Sequence, residues 1–259
     1  MNQTLKIESQ GATRNIILNR PQVLNAMNWK CVLDVTQAIR EAEDDQEIRT
    51  IVLSGSGDRA FTAGADIAEL DDMGSAAALR YNRDWLDMFR RIEQCRKPVI
   101  AAVDGWATGG GTELSLACDF VIAAESARFG LSEINIGVIP GAGAGVRLTR
   151  WVGRLRAKEL LMLGRILTGR EAVEWQLANQ CVPTDKLQIA VQELTDNLNS
   201  RAPLALGAAK ATVNVGSEAS QELAMEYELQ EFVQLFGTDD QREGMSAFLE
   251  KRSPKFKGR

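Results

Sequence analysis

Residues 98–113 read Pro98-Val99-Ile100-Ala101-Ala102-Val103-Asp104-Gly105-Trp106-Ala107-Thr108-Gly109-Gly110-Gly111-Thr112-Glu113. Five apolar residues without alternation, bounded by a proline and an Asp-Gly turn, form the pattern of a strand buried on both faces. The glycine-rich turn after it opens a short helix, expected near Gly110 to Cys118. A buried strand passing through a tight turn into a helix is a unit of parallel sheet with covering helices. The expected fold class is α/β.

The flanking sequence extends the same pattern. Short strands are predicted at Leu5 to Glu8 and Arg14 to Leu18, then a helix from Asn28 to Glu43, where Val32, Val35, Ile39 and Ala42 build one apolar stripe. Thr50 to Ser54 reads as a buried strand ending at Gly55-Ser56-Gly57-Asp58. A helix carrying Leu79, Leu86, Phe89 and Ile92 stops before Pro98, and Phe120 to Ala123 is a further strand. From Ala142 the strand signal nearly disappears. Helices follow, two of them announced by the capping-box spacings Thr168-Gly169-Arg170-Glu171 and Thr238-Asp239-Asp240-Gln241. There is no repeat of fixed length and no linker that separates independent domains.

Composition excludes several chemistries. The 259 residues contain no histidine, so Ser-His-Asp and Cys-His hydrolases, His-ligated zinc sites and facial-triad iron sites cannot be assembled. Proton transfer falls to carboxylates, Lys, Tyr or Cys. With 30 Lys plus Arg against 35 Asp plus Glu, a net charge of −5 disfavours a general affinity for nucleic acid. Cys31, Cys95, Cys118 and Cys181 lie far apart and read as reduced core residues, with no metal site. The N-terminal string MNQTLKIESQ lacks a signal-peptide pattern, and the longest apolar runs fall far short of the ~20 residues of a membrane helix. The expectation is a cytoplasmic protein with no membrane partner.

The turn Gly105 to Gly111 and the cluster Gly141-Ala142-Gly143-Ala144-Gly145 each precede a helix, yet neither fits a dinucleotide or P-loop spacing. Close packing and binding of an anionic oxygen are both open readings of such turns. Glu113 stands three residues after Gly110, about one helical turn along on the same side, which would put a carboxylate beside a main-chain donor. Glu133 is the second acidic candidate, although an isolated loop glutamate usually faces solvent. Arg147, Arg150, Arg154 and Arg156 read as a solvated or subunit-contact face.

Several ordered strings then carry a resemblance: Asn19-Arg20-Pro21 with Asn25-Ala26, Ala63-Gly64-Ala65-Asp66-Ile67, Pro98 to Gly105, Gly109 to Leu114, Cys118-Asp119, Phe129-Gly130, Glu133, Pro140 to Gly143, and Gly244 to Arg252. Together they resemble the enoyl-CoA hydratase/isomerase (crotonase) family along essentially the whole chain. The resemblance implies a ββα spiral core with the active site over residues 1–195. It also implies a helical oligomerisation region over 196–259, assembling as a trimer or dimer of trimers. The implied substrate is an acyl-CoA thioester, with no further cofactor and no metal.

Carried over by position, the oxyanion hole falls on the amides of Ala65 and Gly110 and the catalytic acids on Glu113 and Glu133. CoA contacts fall on the backbone of Ala63 to Ile67, including Asp66, and on Phe248 and Lys251, tail positions that in the family often reach CoA from a neighbouring subunit. Two glutamates at these positions favour hydration of a 2-enoyl-CoA, in fatty-acid or phenylacetate-type catabolism. Double-bond isomerisation and a non-catalytic RNA-binding oligomer are the alternative readings.

Overall fold

The computed structural model describes residues 4–259. The first three residues of the N-terminal string, and of the 1–195 core, lie outside the described residues. In chain order the elements are β1 (Leu5–Gln10), β2 (Thr13–Leu18), α1 (Trp29–Asp44), β3 (Thr50–Gly55), β4 (Ala60–Thr62), α2 (Ile67–Leu70), α3 (Ser75–Gln94), β5 (Val99–Val103), β6 (Trp106–Thr108), α4 (Gly110–Leu116), β7 (Phe120–Ala124) and β8 (Arg128–Gly130). A 3-10 turn at Glu133–Ile136 follows. Then come α5 (Ala144–Leu163), β9 (Ile166–Thr168), α6 (Gly169–Glu174), β10 (Gln180–Val182), α7 (Leu187–Asn199), α8 (Pro203–Glu218), α9 (Gln221–Leu235) and α10 (Asp239–Leu249).

β5 sits inside a six-stranded sheet ordered β1-β2-β3-β5-β7-β10, parallel except for the β1–β2 pair. Its want of alternation has a direct cause. Ile51, Leu53, Val99, Ala101, Val103, Val121 and Ala123 enter one core with α1, α3 and α4. Val52, Ile100, Ala102, Ile122 and Ala124 face the other way, onto Leu187, Ala190, Val191 and Leu198 of α7. Both sheet faces are therefore apolar, as a parallel sheet under helices requires.

A second sheet, β4-β6-β8-β9, is built from three-residue strands. The pairs β3/β4, β5/β6 and β7/β8 each place one strand in the large sheet and the next in the small one. The chain thus winds as a spiral of two-strand turns, and the small sheet brings β4, β6 and β8 side by side.

Local signals explain most helix limits. Asn28 caps α1 by accepting the Cys31 amide at 3.0 Å, and the stripe of Val32, Val35, Ile39 and Ala42 is buried. Thr168 and Glu171 close the full reciprocal capping box of α6. At α10 only half of the expected box forms: Thr238 accepts the Gln241 amide, while the Gln241 side chain turns to Met245. The stripe of α3 also differs from expectation. Tyr81, Trp85, Met88, Phe89 and Ile92 are its buried residues, whereas Leu79 is 55% exposed. Aromatic bulk decides this face: Trp29, Tyr81, Trp85 and Phe89 stack in sequence with centroids 5.7 to 6.2 Å apart.

Cys31, Cys95 and Cys118 are buried and Cys181 half-buried, all as free thiols; burial pushes the Cys31 thiol up to about 12. Residue 195 falls within α7. Beyond it α8 packs on α9, and α9 exposes Leu223, Met225, Leu229, Phe232 and Val233.

Candidate active site

The small sheet delivers three loops to one place. After β6 the chain turns at Gly109, whose φ of +54° favours glycine, and enters α4, every residue of which is buried. Thr112 locks that entry: its hydroxyl donates to Ala107 O at 2.6 Å and accepts the Gly130 amide at 3.0 Å, joining α4 to β6 and β8.

After β4 the segment Ala63 to Ile67 runs alongside. It is held by Ala63 N to Leu24 O, Met27 N to Gly64 O and Asp66 N to Met27 O. Arg20 adds an ion pair to Asp66 at 2.9 Å and a bond to Ala26 O. These bonds engage the neighbours of Ala65 and leave its own amide outside the ladder. A Cβ on Gly64 would lie 2.7 Å from Gly110 N, and a Cβ on Gly110 would lie 3.5 Å from Ala65 N. The two amides expected to act together are therefore adjacent. Trp85 closes the space behind them, with its indole carbons 2.7 Å from that same Gly110 position.

Glu113 is 4% exposed. Its Oε1 accepts the amides of Ala142 at 3.2 Å and Ala144 at 3.1 Å, where α5 begins. Burial pushes its carboxyl up to about 7; Glu133 adds to the rise, and the two amides and Arg147 oppose it. Glu133 opens the 3-10 turn after β8. Its Oε1 lies 2.9 Å from where a Cβ on Gly109 would be, and its buried Oε2 has no hydrogen-bond partner. Burial raises this carboxyl too. The loop glutamate faces inward, against the usual solvent-facing reading.

Among the predicted site residues, Ala63, Ala65, Asp66, Gly110, Glu113 and Glu133 converge through these contacts. Ile67 stands at the rim, 53% exposed. Phe248 is 83% exposed on α10, and Lys251 follows at φ +54°. Their end of the chain is tied instead to Arg49 through Phe256 O and to Asp240, and no bond joins it to this cluster.

Two features escaped the sequence reading. Ile134, Ile136, Val138 and Ile139 form an exposed apolar rim beside Glu133, signalled only by the run Ile134 to Pro140. Arg147 is not part of a solvated face: its side chain is 14% exposed and pairs with Glu93 at 2.6 Å. Arg150, Arg154 and Arg156 are exposed, as expected, with Arg156 lying over the Trp175 ring at 5.0 Å. No group of three His, Cys, Asp or Glu side chains among the described residues is placed to hold a metal.

A buried carboxyl and a half-buried one that interact, beside two adjacent main-chain donors, are equipment for moving protons next to a carbonyl whose oxygen gains charge. The fold and site define an α/β enzyme scaffold of acid–base type. The chain belongs to the enoyl-CoA hydratase/isomerase family, whose sequence model matches residues 8–259. It is 37% identical over 246 residues to the short-chain-enoyl-CoA hydratase of Clostridium acetobutylicum, covering 95% of this chain and 94% of that one. It is 40% identical over 245 residues to the 2,3-dehydroadipyl-CoA hydratase of Escherichia coli, covering 94% of each. The crystal structure of an enoyl-CoA hydratase from Bacillus anthracis superposes with a TM-score of 0.95 at 36% identity, over 99% of this chain and 100% of that one. The spiral expected from the sequence is therefore the crotonase fold.

Proposed function

We propose that the protein is an enoyl-CoA hydratase that adds water across the 2,3 double bond of a trans-2-enoyl-CoA, with the thioester as substrate and no further cofactor. The observation that carries this reading is the pairing of the buried Glu113 with the half-buried, inward-facing Glu133 beside the amides of Ala65 and Gly110. Glu113 acts as base, since two amides donating to one oxygen favour its ionised form. Glu133, raised by burial and without a partner on Oε2, acts as acid.

As the water oxygen bonds to C3, its proton passes to Glu113 and the π electrons move toward the thioester oxygen. The Ala65 and Gly110 N–H groups stabilise that enolate, and each such donor is worth ~3 kcal/mol. Glu133 then protonates C2, and return of a proton from Glu113 to Glu133 resets the pair. Each carboxyl thus has a distinct task, which favours hydration over isomerisation, where one shuttle suffices.

The segment Ala63 to Ile67 contacts the CoA portion, and the rim from Ile134 to Ile139 receives the acyl chain. Residues 1–195 form the catalytic core and 196–259 an oligomerisation region. The apolar side chains that α9 leaves in solvent, and a groove of about 580 Å³ between α8 and α9, support a homo-oligomer, a trimer or a dimer of trimers. Phe248 and Lys251 would then reach CoA in a neighbouring subunit. Among the described residues no helix is long and apolar enough to cross a membrane, and the proposed location is the cytoplasm, with no membrane partner. The relatives' names support a place in the catabolism of fatty or other carboxylic acids.

Mass spectrometry of products from crotonyl-CoA, 2,3-dehydroadipyl-CoA and longer enoyl-CoAs tests the reading. Gain of one water is expected with at least one of them. Double-bond migration without water, or no reaction across the panel, would overturn it.

A further inference from the structure

Arg147 occupies a place that the reaction itself does not explain. From the first turns of α5 its Nη1 donates to Ala142 O at 2.8 Å and its Nε to Glu93 Oε1 at 2.6 Å. The guanidinium lies over Phe89, 5.5 Å from the ring centroid, and a Cβ on Gly143 would come within 2.6 Å of Nη1. One side chain thus fastens the loop before α5 to the face of α3. The fastened peptide is the one that matters: Ala142 gives its carbonyl to Arg147 and its N–H to Glu113.

We propose that Arg147 is a positioning residue for Glu113, clamping the Ala142 to Ala144 loop against Glu93 and Phe89 so that two amides stay aimed at the Glu113 carboxylate. A lysine cannot replace it fully, because a single ammonium lacks the planar fork that serves Glu93 and Ala142 together and stacks on an aromatic ring.

The surroundings of Glu113 leave few other controls. Glu133 faces it from the 3-10 turn and Arg147 from α5. β4 and β6 carry no titratable side chain. Arg128 of β8 is committed to the carbonyls of Glu125 and Ala127; the buried residues of α3 are Tyr81, whose phenol burial holds up to about 12, Trp85, Met88, Phe89 and Ile92, with Glu93 half-buried beside them. Arg147 is the cation of this set. It acts both through its charge and through the amides it holds.

The inference rests on Glu113 acting as the base of a hydratase, so the test begins with wild-type hydration of crotonyl-CoA as a function of pH. Absence of hydration overturns that reading of the function. Where the wild type hydrates with an acidic limb in kcat/KM, Arg147→Gln is expected to move that limb up by about one pH unit. The loss would then be about tenfold below the limb and small well above it, since one unit is a tenfold change in ionised fraction. Arg147→Lys should restore part of the shift, and Glu93→Gln, which loosens the anchor but also removes an anion from beside Arg147, should shift the limb by less than Arg147→Gln does. KM for crotonyl-CoA should change little. Thermal melts establish which variants fold; if Arg147→Gln does not, Arg147→Lys and Glu93→Gln carry the comparison. An unmoved limb in the folded variants, with or without a uniform fall in rate, would overturn the inference.

Discussion

Oε1 of Glu113 lies 3.1 Å from the main-chain nitrogen of Ala144, the first residue of α5. A carboxylate that has lost water is thereby compensated by amides, which keep its ionised form accessible without exposing it. Glutamine at 113 can keep the same acceptor geometry but cannot take a proton from water. Glu113→Gln is expected to lower kcat by 10² to 10⁴, the range for loss of a proton-transfer group, with little change in KM or melting temperature. Glu133→Gln should do the same, and steady-state kinetics on both variants checks it. Near wild-type turnover in either would remove that residue from the reaction.

Activity should follow the ionisation of the pair. Glu113 is held at about 7 and must be ionised to act as base, so kcat/KM is expected to rise with pH through that region. Glu133, whose carboxyl burial also raises, donates a proton in the same cycle, so only the form with Glu113 ionised and Glu133 protonated turns over. Because the two carboxyls interact, the limbs belong to the pair. Glu113→Gln should remove the rising limb from whatever rate remains. A wild-type profile flat between pH 5 and 9 would contradict the assignment.

The same shift has a cost in stability. A carboxyl raised from 4.5 to about 7 on folding binds more protons in the folded state than in the unfolded one between those values. Stability must fall as pH rises through that window, by on the order of 2–3 kcal/mol. Glu113→Gln has no such group and should gain on the wild type between pH 5 and pH 8. Urea unfolding at the two pH values measures the difference; equal pH dependence in both proteins would show that Glu113 is not desolvated at this cost.

The large sheet was legible because β5 is buried on both sides and carries no polar residue to break its pattern. The small sheet was not. Strands of three residues such as β4, β6 and β9 are shorter than any periodicity can register, and they form only because the spiral stacks them. That stacking also hid the repeat, since the pairs β3/β4, β5/β6 and β7/β8 are joined by connections of unequal length. Glu113 could be placed beside Gly110 by helix geometry alone, whereas Glu133 and Ala65 depended on the family resemblance. Arg147 was misread because a basic residue on an amphipathic helix looks the same whether it faces water or Glu93.

Two glycines carry the adjacency of the site. Gly64 has a φ of +88°, and a Cβ there would stand 2.7 Å from Gly110 N. A side chain would therefore both strain the turn and occupy the space of the donor pair. Gly64→Ala is expected to cut kcat by about 10² to 10³, the range for loss of an oxyanion donor. Gly109→Ala, whose Cβ would meet Glu133 Oε1 at 2.9 Å, should displace that carboxyl and change the pH dependence as well as the rate. Kinetics across pH separates the two, and a fully active Gly64→Ala would argue against the paired amides.

Far from the chemistry, Lys210 of α8 pairs with Asp119 at 2.7 Å, their side chains only 7% and 17% exposed. The ammonium also donates to the carbonyls of Ile92 and Lys97. Asp119, for its part, accepts the amide of Val99 at 2.7 Å. One ion pair therefore joins α8 to the ends of α3 and β5, the strand that leads into the active-site turn. Removing one partner strands the other charge in a dry setting, so Lys210→Met is expected to destabilise the fold by about 3–5 kcal/mol. Adding Asp119→Asn to that variant should recover part of the loss, because no unpaired carboxylate remains. Chemical denaturation of the two single variants and the double variant closes the cycle. Additive losses would mean that the two groups do not depend on one another, and that α8 is held to the core by packing and by its bonds to main-chain carbonyls rather than by the ion pair.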